Sequence, residues 1–350
     1  MQFQSKIIGF YKILSSLKLD EIEMEGYTKD YLKYIISQNT FYLEVYAFIL
    51  EKIIVNNPLK LQNINLLDFG AGNGLLAFFA KYCGVNQVIV CDLRPEFITS
   101  IKKLSNSLNI DIDGYIVGNE ANAVAYFSTS NIKPNVCIGT DVIEHVYSVD
   151  SLLASMKLIN PNIVVAFSTA SVYDNFIKRK QLYKLMWEDE YVGYDLKGDT
   201  EGGNIFAGQP FLQVRKQIIQ QKAPQLPSQQ TDALAAATRG LNKNDIEKVV
   251  IQFIENNQIP SPPKNKYNTC NPITSCFTEQ MLTHKNYKNL FQSHGFNLIS
   301  YNGFYSTHQK RIKKLLMMAL NLLPKVFKTN YLGRVVAPFV VLYGAPVKFK

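Results

Sequence analysis

The chain has 350 residues, 47% of them hydrophobic and 19% charged. This balance excludes a disordered polyelectrolyte and allows one large domain with an insertion, or two domains. Net charge is +9, but the eleven Lys and Arg that follow Glu279 are met by no Asp or Glu, which leaves Met1–Glu279 at −2; such a basic end suits an anionic surface or remains a solvated face.

Residues 1–60 read as helical. Tyr31, Ile35, Tyr42, Tyr46, Ile49 and Ile53 recur at helical spacing, and Asn56-Asn57-Pro58 ends the run. This is expected to be a helical extension packed on the main domain; a cover over a site is the functional alternative. From Asn63 short apolar runs alternate with helical ones. Strands are expected over Ile64–Asp68, Gln87–Cys91, Ile112–Val117, Asn135–Thr140 and Asn162–Ser168. Helices are expected from Gly74 to Tyr82, over Pro95–Leu108 with Pro95 in the first turn, and over Ser148–Leu158. The alternation predicts a Rossmann-like α/β core, a mostly parallel sheet with helices on both faces.

The alternation stops at Ala170. Residues 171–268 hold helical pieces, glycines 193, 198, 202, 203 and 208, the polar tract Gln220–Thr231, an amphipathic helix Asp245–Ile254 and a Pro-rich exit, Ile259–Lys264. They read as a mainly helical insertion after strand five, placed to cover a substrate. The sheet is expected to resume with a helix over Asn286–Ser293 and strands over Phe296–Tyr301 and Ala337–Pro346. The expected division is 1–60 extension, 61–170 cofactor-binding core, 171–268 insertion and 269–350 the rest of the core. Cys83, Cys91, Cys137, Cys270 and Cys276 form no C-x-x-C pair, so buried thiols in a reducing compartment are expected rather than a disulfide frame or zinc site. With no signal-peptide pattern in MQFQSKIIGF, and no run of about 18 apolar residues, the expected location is cytoplasmic, with at most peripheral membrane contact.

The chemistry concentrates in Leu66-Leu67-Asp68-Phe69-Gly70-Ala71-Gly72-Asn73-Gly74. An apolar strand runs into an acid and three alternating glycines, which let the backbone turn sharply and approach a ligand. The following helix offers free N–H groups, and an acid at the strand end can hold a ligand's ammonium. Asp92, eighteen residues after Gly74, ends the second strand where a carboxylate can accept from both ribose hydroxyls of a nucleoside. Gly72-Asn73-Gly74-Leu75-Leu76-Ala77 also fits G-x-G-x-x-A, so an NAD-linked oxidoreductase is a rival. Against it, Asp68 would crowd a pyrophosphate, and no second mononucleotide-binding half follows strand five. A non-catalytic scaffold is the other rival; retention of Asp68 and Asp92 argues against it.

Asp68–Gly74, Asp92 and the segment Asp141-Val142-Ile143-Glu144-His145-Val146 together resemble the class I S-adenosylmethionine-dependent methyltransferases, over roughly Asn63–Thr169 and the last two strands. The resemblance implies seven strands, the last antiparallel, and S-adenosyl-L-methionine as cofactor. It assigns Asp68, Gly70, Ala71, Gly72 and Gly74 to the methionine portion, and Asp92 with the adjoining Leu93 to the nucleoside. Asn119 or Glu120 would contact the adenine. Asp141 would lie at the junction of cofactor and acceptor, and His145 is a candidate general base; a locally packed histidine is the alternative.

Methyltransferases of small-RNA 3′ ends carry a metal-binding E-x-x-E-H segment. Here Asp141 replaces the first Glu and no histidine lies between His145 and His284, so no metal is expected. The loop Asn268–Glu279 and the later Gly295-Phe296 are similar, more loosely, to bacterial methyltransferases of sugars or surface-polysaccharide precursors. The expected acceptor is therefore a small molecule or glycan precursor hydroxyl rather than nucleic acid. Finally, 310–328 (KRIKKLLMMALNLLPKVFK) has basic ends around a Leu/Met run, which fits either a helix lying on an anionic membrane or one packed on the sheet.

Overall fold

A computed structural model describes residues 3–347 apart from Pro58, 194–207, Pro262, Lys264, Lys266 and Gln309. Gly198, Gly202 and Gly203 of the expected glycine-rich stretch, and two positions of the Pro-rich exit, lie outside the described residues. The chain forms two compact units: residues 1–143, 149–175 and 283–350, and residues 144–148 with 176–282.

The first unit opens with helices α1 (Gln4–Ser16), α2 (Gly26–Ser37) and α3 (Phe41–Asn56). Then come β1 (Asn65–Phe69), α4 (Leu75–Cys83), β2 (Gln87–Asp92), α5 (Pro95–Leu108), β3 (Gly114–Val117) and α6 (Glu120–Thr129). β4 (Val136–Thr140), α7 (Val149–Ile159) and β5 (Val164–Thr169) complete the alternating part. The sheet has seven strands in the order β3-β2-β1-β4-β5-β7-β6, where β6 is Phe296–Asn302 and β7 is Val340–Pro346. β1 to β5 pair in parallel, and β7 runs antiparallel to both β5 and β6. This is the seven-stranded sheet with an antiparallel last strand that the resemblance implies.

Local chemistry explains the elements. β1 and β5 are buried at nearly every position, as parallel strands covered on both faces are. Pro95 starts α5 and Asn109, at φ 51°, ends it; Gly84, at φ 98°, ends α4. Helix α6 has no counterpart in the sequence reading. It buries only Ala123 and Phe127, too few for a periodic signal, and is started by a capping box between Asn119 and Asn122.

The N-terminal helices share one core with the sheet: Ile7, Phe10, Leu32 and Ile49 are buried in the same cluster as Phe78, Phe79, Val88 and Ile101. Helix α1 lies close on α4. A Cβ on Gly9 would stand 2.5 Å from the Tyr82 hydroxyl, and the Phe10 and Phe79 rings are 5.8 Å apart.

The second unit contains α8 (Phe176–Tyr191), α9 (Phe211–Lys222), α10 (Ser228–Ala237) and α11 (Lys243–Asn256). Its core is built from Val214, Ile218, Ile219, Leu234, Ile246, Val250 and Phe253. A buried ion pair ties it together: Arg215 donates to both Glu190 carboxylate oxygens (3.1 and 2.5 Å) and to the Ala235 carbonyl (2.9 Å), and Thr269 donates to Glu190 (2.6 Å). Helix α12 (His284–Ser293) leads back into β6. Between β6 and β7 lie α13 (Arg311–Leu320), α14 (Leu322–Val326) and α15 (Tyr331–Arg334). Among the described residues no helix is long and apolar enough to cross a membrane.

Candidate functional site

The site is built where β1 and β2 end. Gly70, Gly72 and Gly74 take φ values of 69°, 52° and 71°, the left-handed region that a side chain disfavours. Gly70 also has no room for one, since a Cβ there would overlap Val142. Val142 is delivered by Asp141, itself at φ 51°, whose N–H donates to the Ser168 carbonyl (3.0 Å). The loop is held from β2. The Cys91 carbonyl accepts from the N–H groups of Gly70 (2.8 Å) and Ala71 (3.1 Å). The Asp92 carboxylate accepts from Gly72 N–H through Oδ2 (2.8 Å) and from Arg94 N–H through Oδ1 (2.9 Å).

Asp68, at the end of β1, is 1% exposed. Among the described residues its Oδ2 has no hydrogen-bond partner. Burial, and then the neighbouring Asp92 carboxylate, push its pKa up to about 7; an N–H from Ala77 offsets this only in part. Burial also raises Asp92, while the Arg94 and Gly72 N–H groups pull it back. A buried acid with an oxygen to spare is suited to a cation. Each Asp92 oxygen, having accepted one N–H, keeps lone-pair capacity for a hydroxyl.

The loop is also tied to the N-terminal helices. Asn73 is buried; its amide donates to the Thr28 carbonyl (2.9 Å) and its oxygen accepts from the Ser100 hydroxyl (3.0 Å). On α2, Tyr31 stacks with Tyr27 at an interplanar angle of 6°, and both rings meet Phe97 edge-on. The Arg94 guanidinium lies 4.7 Å from the Tyr27 ring centre. A Cβ on Gly72 would meet Tyr31 Cε1 at 3.6 Å, so this ring stands beside the glycine loop. Desolvation, then Asp141, Tyr27 and Asp92, push the Tyr31 hydroxyl up to about 12.

Asp68, Gly70, Ala71, Gly72, Gly74 and Asp92 thus come together in one loop system. Leu93 is half exposed beside it. Gly118 N–H donates to the Asp92 carbonyl (2.8 Å), which brings Asn119 and Glu120 alongside. The Asn119 oxygen is engaged in capping, accepting from Ala121 N–H (3.0 Å). Asn73, Tyr31 and Arg94 were not foreseen. Tyr31 reads from periodicity as a core position, whereas α2 buries Thr28, Leu32 and Ile35 instead. The Tyr27–Tyr31 pair, two aromatics at i and i+4, is the signal that would have revealed it.

His145 belongs to the second unit. Its Nδ1 is 3.0 Å from the Phe277 carbonyl, and Phe277 N–H donates to the His145 carbonyl (3.0 Å). A carbonyl only accepts, so Nδ1 carries a proton toward Phe277, and in the neutral form of the ring the lone pair is at Nε2. Among the described residues no group of three or more His, Cys, Asp or Glu is arranged to hold a metal ion.

No family model matches the chain. Part of it is 40% identical over 48 residues to ribosomal protein L11 methyltransferase of Burkholderia lata, covering 14% of this chain and 16% of that protein. The chain thus spans less than a fifth of that relative's length. Among solved structures it is similar to magnesium protoporphyrin IX methyltransferase of Synechocystis PCC 6803 with bound SAH. There identity is 8%, coverage 89% of this chain and 87% of that one, and the TM-score 0.40. For ribosomal protein L11 methylase of Lactobacillus delbrueckii subsp. bulgaricus the identity is 16%, the coverage 43% and 69%, and the TM-score 0.29. By its strand order, its antiparallel β7 and the Asp68–Gly74 loop, the chain has the class I S-adenosylmethionine-dependent methyltransferase fold.

Proposed function

We propose that the protein is an S-adenosylmethionine-dependent methyltransferase acting in the cytoplasm on a hydroxyl of a small molecule or glycan precursor. One observation carries the reading: the Asp68 oxygen that has no partner among the described residues and the Asp92 carboxylate flank a loop whose three glycines take left-handed φ values. When bound, S-adenosylmethionine supplies a methyl group on a sulfonium, already activated for in-line displacement. Asp68 holds the ammonium of its methionine portion, and the Gly70–Gly74 backbone lies along it. Asp92 accepts from the ribose hydroxyls, with Leu93 and Asn119 or Glu120 toward the base. Asp68, two residues before the glycines, disfavours the pyrophosphate of a dinucleotide. His145, held in its Nε2-basic tautomer by Phe277, takes the proton of the acceptor hydroxyl. Residues 171–268, the insertion after strand five, are proposed to set acceptor specificity.

Calorimetry of the purified chain with S-adenosylhomocysteine and with NAD tests the cofactor. Tight binding of the first alone is expected; binding of NAD alone overturns the reading. Transfer of labelled methyl from S-adenosylmethionine into small-molecule or glycan-precursor fractions tests the acceptor class. Label recovered only in protein overturns that part.

A further inference from the structure

We infer that the connection between β6 and β7 docks the protein on an anionic phospholipid surface. The sequence leaves two options for this stretch, and packing on the sheet is not what the structure has: α13 buries none of its side chains. Ile312, Leu315, Leu316, Leu322, Leu323 and Val326 are all exposed; Ile312, Leu315 and Val326 are 85%, 67% and 70% so. Their spacing of three, four and seven puts them along one side of consecutive helical turns, a stripe of the interfacial kind.

The stretch is nevertheless fixed to the fold. Asn302 N–H donates to the Lys328 carbonyl (2.7 Å), and Tyr305 N–H donates to the Asn321 side chain (2.7 Å). Arg334 pairs with Asp174 (2.7 Å). An anchored element that presents aliphatic side chains to solvent calls for a partner.

Charge selects the partner. Arg311 and Lys313 flank the stripe on α13, Lys310, Lys314, Lys325 and Lys328 lie in the same stretch, and no Asp or Glu occurs after Glu279. A second copy laid symmetrically on this face would oppose like charges with no carboxylate of its own to relieve them. An anionic headgroup layer complements the basic border while the acyl region takes the aliphatic stripe. β6 runs parallel to β1–β5, both β5 and β6 being antiparallel to β7. The connection therefore leaves the sheet at its carboxyl edge, the edge of the Asp68–Gly74 loop, so docking turns that edge to the lipid.

Co-flotation with vesicles of phosphatidylcholine alone, or with an equal part of phosphatidylglycerol, tests the inference independently of any methyl transfer. The intact chain is expected to float with the anionic vesicles, less so at high salt, and not with the neutral ones. Arg311→Gln with Lys313→Gln should weaken partitioning about thirtyfold. Ile312→Asp with Leu315→Asp and Val326→Asp should abolish it. Both variants change exposed positions and should bind S-adenosylhomocysteine as the parent does, which establishes that they are folded. Failure of the parent chain to float with anionic vesicles at low salt overturns the inference. So does flotation unaffected by the aspartates, or self-association in the centrifuge that the aspartates remove while vesicle binding is absent.

Discussion

With the ammonium placed at Asp68, as proposed, cofactor binding becomes a proton-linked event. Its carboxyl titrates at about 7 in the folded, unliganded protein, because burial and Asp92 oppose its charge. An ammonium beside Oδ2 requires the charged form, so binding below neutrality must expel a proton. Affinity for S-adenosylhomocysteine should then fall about tenfold per pH unit below 7, about a hundredfold from pH 8 to pH 5. The same raised pKa works against the unliganded fold. Between the ordinary carboxylate value and 7 the folded state holds a proton that the unfolded state has lost. Stability therefore declines as pH rises through that window, by about 4 kcal/mol at most, and levels off above it. Asp68→Asn removes the charge. It should flatten the stability decline, lower affinity at pH 8, and leave only the shallower pH dependence that Asp92 contributes. Calorimetry in buffers of differing ionisation enthalpy, at about pH 6 and pH 8, counts the protons released. Binding with the same affinity and no proton release across that range would refute the placement of the ammonium at Asp68.

Three further outcomes are expected. Asp92→Ala should weaken S-adenosylhomocysteine binding roughly ten- to a hundredfold, from the loss of a charge-assisted acceptor at about 1.5–3 kcal/mol; unchanged calorimetric affinity in a folded variant would mean the ribose lies elsewhere. Gly72→Val should abolish binding while most of the fold survives, because its strain is local to φ 52° and its Cβ meets only Tyr31 at an ordinary distance; circular dichroism and calorimetry together check this, and normal binding would reduce the loop to a tight turn. His145→Ala should lower methyl transfer about a hundredfold or more and leave cofactor affinity unchanged; retained turnover would return His145 to a packing role.

The sheet was legible because its strands are continuous apolar runs, each punctuated by a turn residue. Asn65–Phe69 and Gln87–Asp92 lie within one residue of their expected places for that reason. The glycine loop was legible because its chemistry is local in sequence. Helix α6 was not, since two buried residues leave no periodicity. Nor was Tyr31: helical spacing records which residues share a face, not whether that face meets the core or a loop brought alongside by tertiary packing. Asn73 sits inside the recognised motif at a position open to any residue, and its bonds to Thr28 and Ser100 join segments 45 and 27 residues away in sequence. Such links exist only once the chain has folded.

The bond from Asn73 to the Thr28 carbonyl makes the N-terminal helices and the glycine loop a single cooperative element. Opening α2 away from the sheet would leave a buried amide without its acceptor, a loss of about 1–3 kcal/mol felt at the loop. Opening events at the two places are therefore linked, and a ligand that clamps the loop must slow both. Hydrogen exchange should record this at a distance: addition of S-adenosylhomocysteine should protect amides of α2, which need not touch it, along with those of Gly70–Gly74.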